Sequence, residues 1–600
     1  MVHRGPDAAG IWIHSDKTVG LAHRRLSIID LSEAGRQPLS AREGRIWITY
    51  NGETYNFQEI RRELEKKGYV FRSNTDTEVI LNAYAEWDVD CLQKFNGMFA
   101  FGIYDEENNL FFLARDRVGK KPLYYTSTNG RFVFASELKA LLIDGSVSRE
   151  IDLQALNHYL TFGYVGDERC IFNSIRKLPA AHAMVYRVGN GGKSVWKYWE
   201  PPPPDGLLTS EEEMLEELQA LLEDAVRLRM TSDVPLGAFL SGGIDSSLVV
   251  AMMSKVVGRP VKTFSIGFKE SNYNELPYAR VVAEYFNTHH HEIIVNPDAF
   301  SVIPELVQQF DEPFADSSMV PTYYVSRATR EYVNVALSGD GGDELFGGYD
   351  SYVGTKVNYY VFNAIPTFIR KGFSELARFL PETTKVKRQL QRMRYSPYDS
   401  FIDRSSYLYF RDHRRRLLLN SDIIVSLDGT LLEPEIERRY FLTRYHYDFV
   451  NSLMYADLKT YLPDDILVKV DRASMLVSLE VRAPILDYRI VDFTFSKIPS
   501  SFKVRKTTKK YLLKKLAMKL LPRELHINRK WGFAMPIAEW FRDSLYDDLK
   551  DIILNEENHF FNRDYIERLL CEHQRAYADH SFRLFTLLIF SLWKRRYLSN

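Results

Sequence analysis

The heptad Ser-Gly-Gly-Ile-Asp-Ser-Ser at Ser241 to Ser247 constrains this chain more than any other stretch. It joins a strand-like apolar run, Leu236 to Leu240, to a helix-like one, Leu248 to Val257. A strand, a glycine turn and a helix start together make a phosphate cradle. Adjacent glycines let the backbone approach an anion, and the helix start offers unpaired N–H groups and the positive end of its dipole. The hydroxyls of Ser241, Ser246 and Ser247 add donors, and Asp245 is placed to hold a metal beside the phosphates. No Gly-Lys-Ser/Thr follows, so the loop is not of the Walker type. A plain Gly-Ser turn capping a helix would explain the glycines but not the carboxylate.

At 600 residues the chain is too long for one core and predicts two or three domains. Its 78 Lys and Arg nearly balance 79 Asp and Glu, so a net charge of -1 gives no whole-chain attraction to nucleic acid or to an anionic membrane. Anionic ligands must be met locally. Cys91, Cys170 and Cys571 are widely spaced, which argues against a disulfide framework or a zinc site and favours a reducing cytoplasm. The first residues lack the apolar core of a signal peptide. Leu584 to Trp593 is strongly apolar but about half the length needed to cross a bilayer, and reads as a buried helix.

The four prolines Pro201 to Pro204 read as a stiff linker. They divide the chain into residues 1–200, a linker 201–209, and residues 210–600. Upstream, Gly44 to Tyr50, Met98 to Tyr104, Leu110 to Leu113 and Arg131 to Ala135 are strand-like runs between Gly and Asn turns, giving a β-rich half with few helices. Downstream, Ser210 and Glu213 form a capping-box pattern before an apolar stripe at helical spacing. Strands at Leu236 to Leu240, Val261 to Phe268, His289 to Val295 and Val333 to Gly339 then alternate with helices, which predicts a parallel sheet covered on both faces.

In such a sheet, ligands sit at the carboxyl ends of the strands. The loop Ser338 to Gly348 therefore shares a crevice with the first loop and concentrates Asp340, Asp343 and Glu344 among glycines. Asp245 and Asp343 could hold Mg²⁺ while it bridges phosphates; an exposed acidic turn is the plainer alternative. His289 to His291 suggest a metal site at first sight, but neighbours on a strand point to opposite faces, so a structural role is expected. Arg414 to Arg416 reads as a solvated face. Residues 352–449 carry aromatics and arginine but no readable motif.

These residues resemble the asparagine synthetase family. SGGIDSS matches the loop of N-type ATP pyrophosphatases, and SGDGGDELFGGY the second signature of the family. The likeness continues in order through HRGPD (His3 to Asp7), RLSIID (Arg25 to Asp30), YNGETYN (Tyr50 to Asn56), NTDTEVI (Asn74 to Ile80) and RDRVGKKPLYY (Arg115 to Tyr125). It ends with DILVKVDRASM (Asp465 to Met475), EVRAPILD (Glu480 to Asp487) and RKWGFAMPIAEW (Arg529 to Trp540). It implies an Ntn-type glutamine amidotransferase sandwich, truncated at its start, followed by an α/β ATP pyrophosphatase domain of the adenine nucleotide alpha hydrolase kind.

The resemblance implies two steps: ATP adenylylates the side-chain carboxylate of aspartate with release of pyrophosphate, and ammonia then displaces AMP. Leu240, Ser241 to Ser247, Ile266, Ser338 and Gly339 would bind ATP, with Asp245 and Asp343 on Mg²⁺. Strand packing is the alternative for Leu240 and Ile266. Lys530 would stabilise the adenylylation transition state. Asp340 stands where many relatives carry a glutamate that manages the proton of incoming ammonia, and its shorter reach leaves that role open. Arg482 and Asp487 would shape the acceptor carboxylate pocket, or form a buried ion pair.

For glutamine, Arg25 would hold the α-carboxylate, Glu53 and Asp76 the α-ammonium, and Asn51 with the Gly52 N–H the oxyanion. In the family an N-terminal cysteine attacks the amide with its own α-amine as base. No such residue precedes HRGPD here, and an internal methionine taken as the start is the favoured explanation. The chain as written is therefore expected to use ammonia. Two alternatives stand: amidation of another carboxylate such as a sugar acid, and a silent nucleotide-binding scaffold. Partners are small molecules, with a homodimer allowed.

Overall fold

The computed structural model describes all residues except 167, 207–209, 269–273, 296–300, 380–386, 388–389, 391, 394, 406–408, 444–446, 526–534, 556–558 and 599–600. The first half is built on a six-stranded antiparallel sheet in the order Lys193–Lys197, His182–Arg187, Leu110–Arg115, Gly97–Asp105, Ile46–Thr54, Leu39–Ala41. Period-two alternation sends its side chains to two cores. Phe101 and Ile103 pack on one face with Leu64, Val79 and Ile80 of helices Phe57–Lys66 and Asp76–Trp87. Ala100, Tyr104 and Phe111 pack on the other with Leu21, Leu123 and Tyr125. That second layer holds the hairpin Ala8–Ile13/Gly20–Arg25 and the three strands Arg131–Ala135, Tyr124–Thr128 and Ile175–Lys177.

The second half carries a five-stranded, all-parallel sheet in the order His289–Val295, Lys262–Phe268, Leu236–Phe239, Val335–Leu337, Glu480–Arg482. The fifth strand escapes sequence reading: three residues, two of them charged, carry no periodicity. The helix Glu211–Arg229 starts in the predicted capping box, with the Ser210 hydroxyl accepting from the Glu213 N–H and the Glu213 carboxylate from the Ser210 N–H. The terminal helix Ser581–Tyr597 is buried, its fully covered Trp593 donating to the Asp311 carbonyl at 2.8 Å. Among the described residues, no helix is long and apolar enough to cross a membrane.

The described residues between 352 and 449 include the helices Thr367–Leu376, Pro397–Ser405, Asp412–Leu418 and Glu433–Thr443. The arginine triplet within them is a solvated face only in part. Arg415 is fully buried, donating to Thr161 Oγ1, the Phe410 and Leu431 carbonyls and Glu435, because its neighbours Arg414 and Arg416 lie on the outer side of the same turn. The three histidines alternate along the outermost strand: His290 bonds Thr263 Oγ1 at 2.9 Å, and His291 stacks on Phe264.

Candidate active site

Two loops meet where the parallel strands end. The chain leaves Phe239 through Leu240, turns at Gly242 and enters helix Ile244–Val257. Gly242 has φ +72, and a Cβ there would lie 2.5 Å from the Tyr278 backbone, so only glycine serves. The neighbouring strand Val335–Leu337 ends in the second loop, which presses against the first: a Cβ on Gly342 would meet Asp245 Cγ at 2.5 Å. Leu240, Ser241, Gly242, Gly243, Ile244, Asp245, Ser246, Ile266, Ser338, Gly339, Asp340 and Asp343 line one crevice of about 550 Å³. Ser247 does not. It is fully buried in the first helical turn, and the crevice wall ends at Ser246.

Lys510 is the residue that sequence reading missed. It precedes helix Tyr511–Leu520, and its Nζ bonds Asp245 Oδ2 and lies 2.9 Å from Asp343 Oδ1. Burial works against its charge, but the two carboxylates raise its pKa well above the usual lysine value. One ammonium thus ties both loops. The only trace in sequence is a lysine run before an apolar helical stripe, a pattern shared by many surface helices. Lys469 lies in the same crevice, 2.7 Å from Asp316 Oδ2. Asp340 accepts from Ser338 Oγ at 2.7 Å, and burial raises its pKa. Burial, followed by the nearby Asp343, pushes Glu344 up to about 7. Lys530 falls outside the described residues.

A second crevice, about 420 Å³, opens in the first half and is lined by all five glutamine candidates, Arg25, Asn51, Gly52, Glu53 and Asp76. Gly52 has φ +148 and packs so closely that a Cβ would meet the Met98 carbonyl. Asp76 accepts from Tyr50 Oη at 2.7 Å and the Thr54 N–H at 2.8 Å; burial nevertheless lifts it to about 6. Glu53 is lifted further by burial, with Glu480 also facing the crevice. An ammonium group placed beside these carboxyls would favour their ionised form. Arg25 donates to the Ser32 carbonyl at 2.9 Å and to the Ile29 and Asp30 carbonyls, so part of its guanidinium already holds that loop.

Arg482 and Asp487 line neither crevice. Both are fully buried. Arg482 donates to Glu480 at 2.8 Å and to the Arg229 and Thr231 carbonyls, and lies 3.2 Å from Glu53. Asp487 accepts from Arg229, Asn96 and Arg489, each at 2.9 Å. Of the two readings given for them, these contacts support the buried ion pair: charge pairing inside the junction of the two halves engages both.

The family model for asparagine synthase matches residues 217–595, and that for a glutamine amidotransferase domain matches residues 1–199. Together with the two crevices they define the class: an Ntn-type glutamine amidotransferase joined to an ATP-dependent, amide-forming ligase. An asparagine synthetase [glutamine-hydrolyzing] 1 of Bacillus subtilis is 35% identical over 595 residues, covering 99% of this chain and 92% of that one. A putative asparagine synthetase [glutamine-hydrolyzing] of Mycobacterium tuberculosis is 33% identical over 609 residues, with the same shares. The chain belongs to the asparagine synthetase family. A more distant relative, the amidase chry2 of Gibberella zeae, is 28% identical over 606 residues, covering 93% of this chain and 87% of its own.

Proposed function

We propose that residues 210–600, beyond a linker at 201–209, convert aspartate to asparagine through a β-aspartyl-AMP intermediate, releasing pyrophosphate and AMP. The observation that carries this reading is Lys510 held between Asp245 and Asp343 at the mouths of two glycine loops. Those loops supply N–H groups for the β- and γ-phosphates, while a buried cation offsets charge that builds on them as the α-phosphorus is attacked. Leu240 and Ile266 offer an apolar wall for the adenine. Asp340 stands on the same wall, where a raised pKa suits a carboxylate that takes a proton from incoming ammonia. The role of Lys530 rests on its motif alone.

Asp245 and Asp343 would hold Mg²⁺ when nucleotide is present. They are hard oxygen donors facing the phosphate loop, and a cation already lies between them. The ion would supply further neutralisation of the pyrophosphate.

Ammonia is the proposed nucleophile at the acceptor crevice. Cys91, Cys170 and Cys571 do not line the glutamine crevice, and burial raises the thiol pKa of Cys91 and Cys170. Ser338 and Asp340 also line a small cavity shared with Met98 and Lys120 of the first half, so nitrogen arriving from that side would meet the acceptor crevice. A cytoplasmic setting fits the uncrosslinked cysteines.

Amidation of a different carboxylate is the second reading, favoured by the absence of Arg482 and Asp487 from the crevice and by the amidase relative. Pyrophosphate release is to be measured with ammonium and a panel of carboxylic acids. The first reading requires release that depends on aspartate; release with another acid and none with aspartate would establish the second.

A further inference from the structure

With Arg482 and Asp487 paired inside the junction, the nucleotide crevice must recognise its acceptor by other means. One further ion pair has both members on the crevice wall: Lys469 on helix Leu467–Met475, and Asp316 in the turn before helix Met319–Arg330. Lys469 Nζ lies 2.7 Å from Asp316 Oδ2, and the two side chains keep 12% and 19% of their surface open. Other charged groups of the wall are committed elsewhere: Lys510 to Asp245 and Asp343, Lys509 to Asp350, and Glu344 to the Tyr349 hydroxyl. Burial raises Asp340, and the Lys469 cation opposes that rise, so the pair stands within electrostatic reach of the carboxylate proposed to take the proton of ammonia.

The pair is fixed in place yet keeps bonding capacity. Asp316 Oδ1 accepts from the Ser318 N–H at 2.9 Å, and the Ser318 hydroxyl lies 2.7 Å from both carboxylate oxygens. A hydroxyl carries one proton, so it satisfies one of those oxygens at a time and leaves a lone pair on the other. Among the described residues Lys469 Nζ donates to Asp316 alone, which uses one of its three N–H groups. Asp465 nearby is buried, and burial, then Asp316, lifts its carboxyl well above the usual range, so it adds no second negative charge. A cation and an anion side by side, each with a bond to spare, match an α-amino acid, which bears a carboxylate and an ammonium on one carbon. A sugar acid or a plain dicarboxylate has no ammonium to offer Asp316.

We propose that Lys469 and Asp316 select the acceptor, Lys469 taking the α-carboxylate and Asp316 the α-ammonium of an amino acid whose side-chain carboxylate is left to attack ATP. This rests on the reading of the crevice as an amide-forming site and narrows its acceptor to an α-amino dicarboxylate. The test matches each residue to the group it would hold. Succinate is aspartate without its ammonium, and 3-aminopropanoate is aspartate without its α-carboxylate; both are measured as competitors of aspartate in ammonium-dependent pyrophosphate release by the full chain. Asp316→Asn should weaken aspartate about ten-fold to a hundred-fold and leave the inhibition constant of succinate unchanged. Lys469→Met should weaken aspartate as much and leave 3-aminopropanoate unchanged, with Lys469→Arg recovering part of the loss. Where a variant is too slow to assay, the rise in melting temperature that aspartate adds in the presence of α,β-methylene-ATP reports the same binding, and the rise from the nucleotide alone shows that the variant folds. Equal losses for aspartate and its cut-down analogues would give the pair a structural role and overturn the proposal, as would succinate competing with the parent as tightly as aspartate binds. Release by the parent with a different amino acid, lost in both variants, would uphold the pair while refuting aspartate as the acceptor; release only with acids that lack an ammonium would overturn both.

Discussion

Lys510 is the point at which charge, fold and chemistry meet. Replacing it by methionine keeps the stem but leaves Asp245 and Asp343 facing each other without their shared cation. Pyrophosphate release should fall by about a hundred-fold or more, in line with the removal of one preorganised electrostatic contact, while circular dichroism stays that of the parent. An unchanged rate would show that the lysine only ties the loops. Glu344 gives a separate handle. Its folded pKa of about 7 exceeds the ordinary glutamate value of 4.5, so the folded state holds more protons between those limits and stability falls as pH rises through them. Glu344→Gln should flatten that slope, by up to about 3 kcal/mol across the window, read as denaturant midpoints between pH 5 and pH 7.

At the scale of elements, the loops and strands around the nucleotide crevice were legible because glycines, apolar runs and a capping box each carry a local physical signal. Leu236 to Leu240, Val261 to Phe268 and His289 to Val295 appear as strands at nearly the predicted limits. The fifth strand and its arginine were not legible. Arg482 and Asp487 look like substrate ligands in a string of letters, since nothing local reveals that Glu53, Arg229 and Asn96 come from distant segments to pair with them. Lys510 was hidden for the same reason. The paired arrangement makes its own prediction. Arg229, Arg489 and Asn96 overcome burial and hold Asp487 well below the usual carboxylate pKa, so its contribution to stability is full above about pH 4 and is lost as pH falls further. Asp487→Ala should cost about 3–5 kcal/mol at neutral pH by stranding Arg229. Equal midpoints for parent and variant in urea would refute that.

The molecule as a whole joins two crevices through buried charge. Arg4 of the first half lies 2.7 Å from Asp471 on helix Leu467–Met475 of the second, and Arg472 on the same helix reaches Glu137 at 3.1 Å. Ammonium salts should support amide formation without glutamine; no amide at any ammonium concentration would overturn the reading of the acceptor crevice. The central claim concerns which bond of ATP is broken. With the acceptor carboxylate labelled with oxygen-18, attack on the α-phosphorus followed by displacement with ammonia carries one labelled oxygen into AMP. The account predicts labelled AMP in step with amide, and labelled inorganic phosphate together with ADP would contradict it.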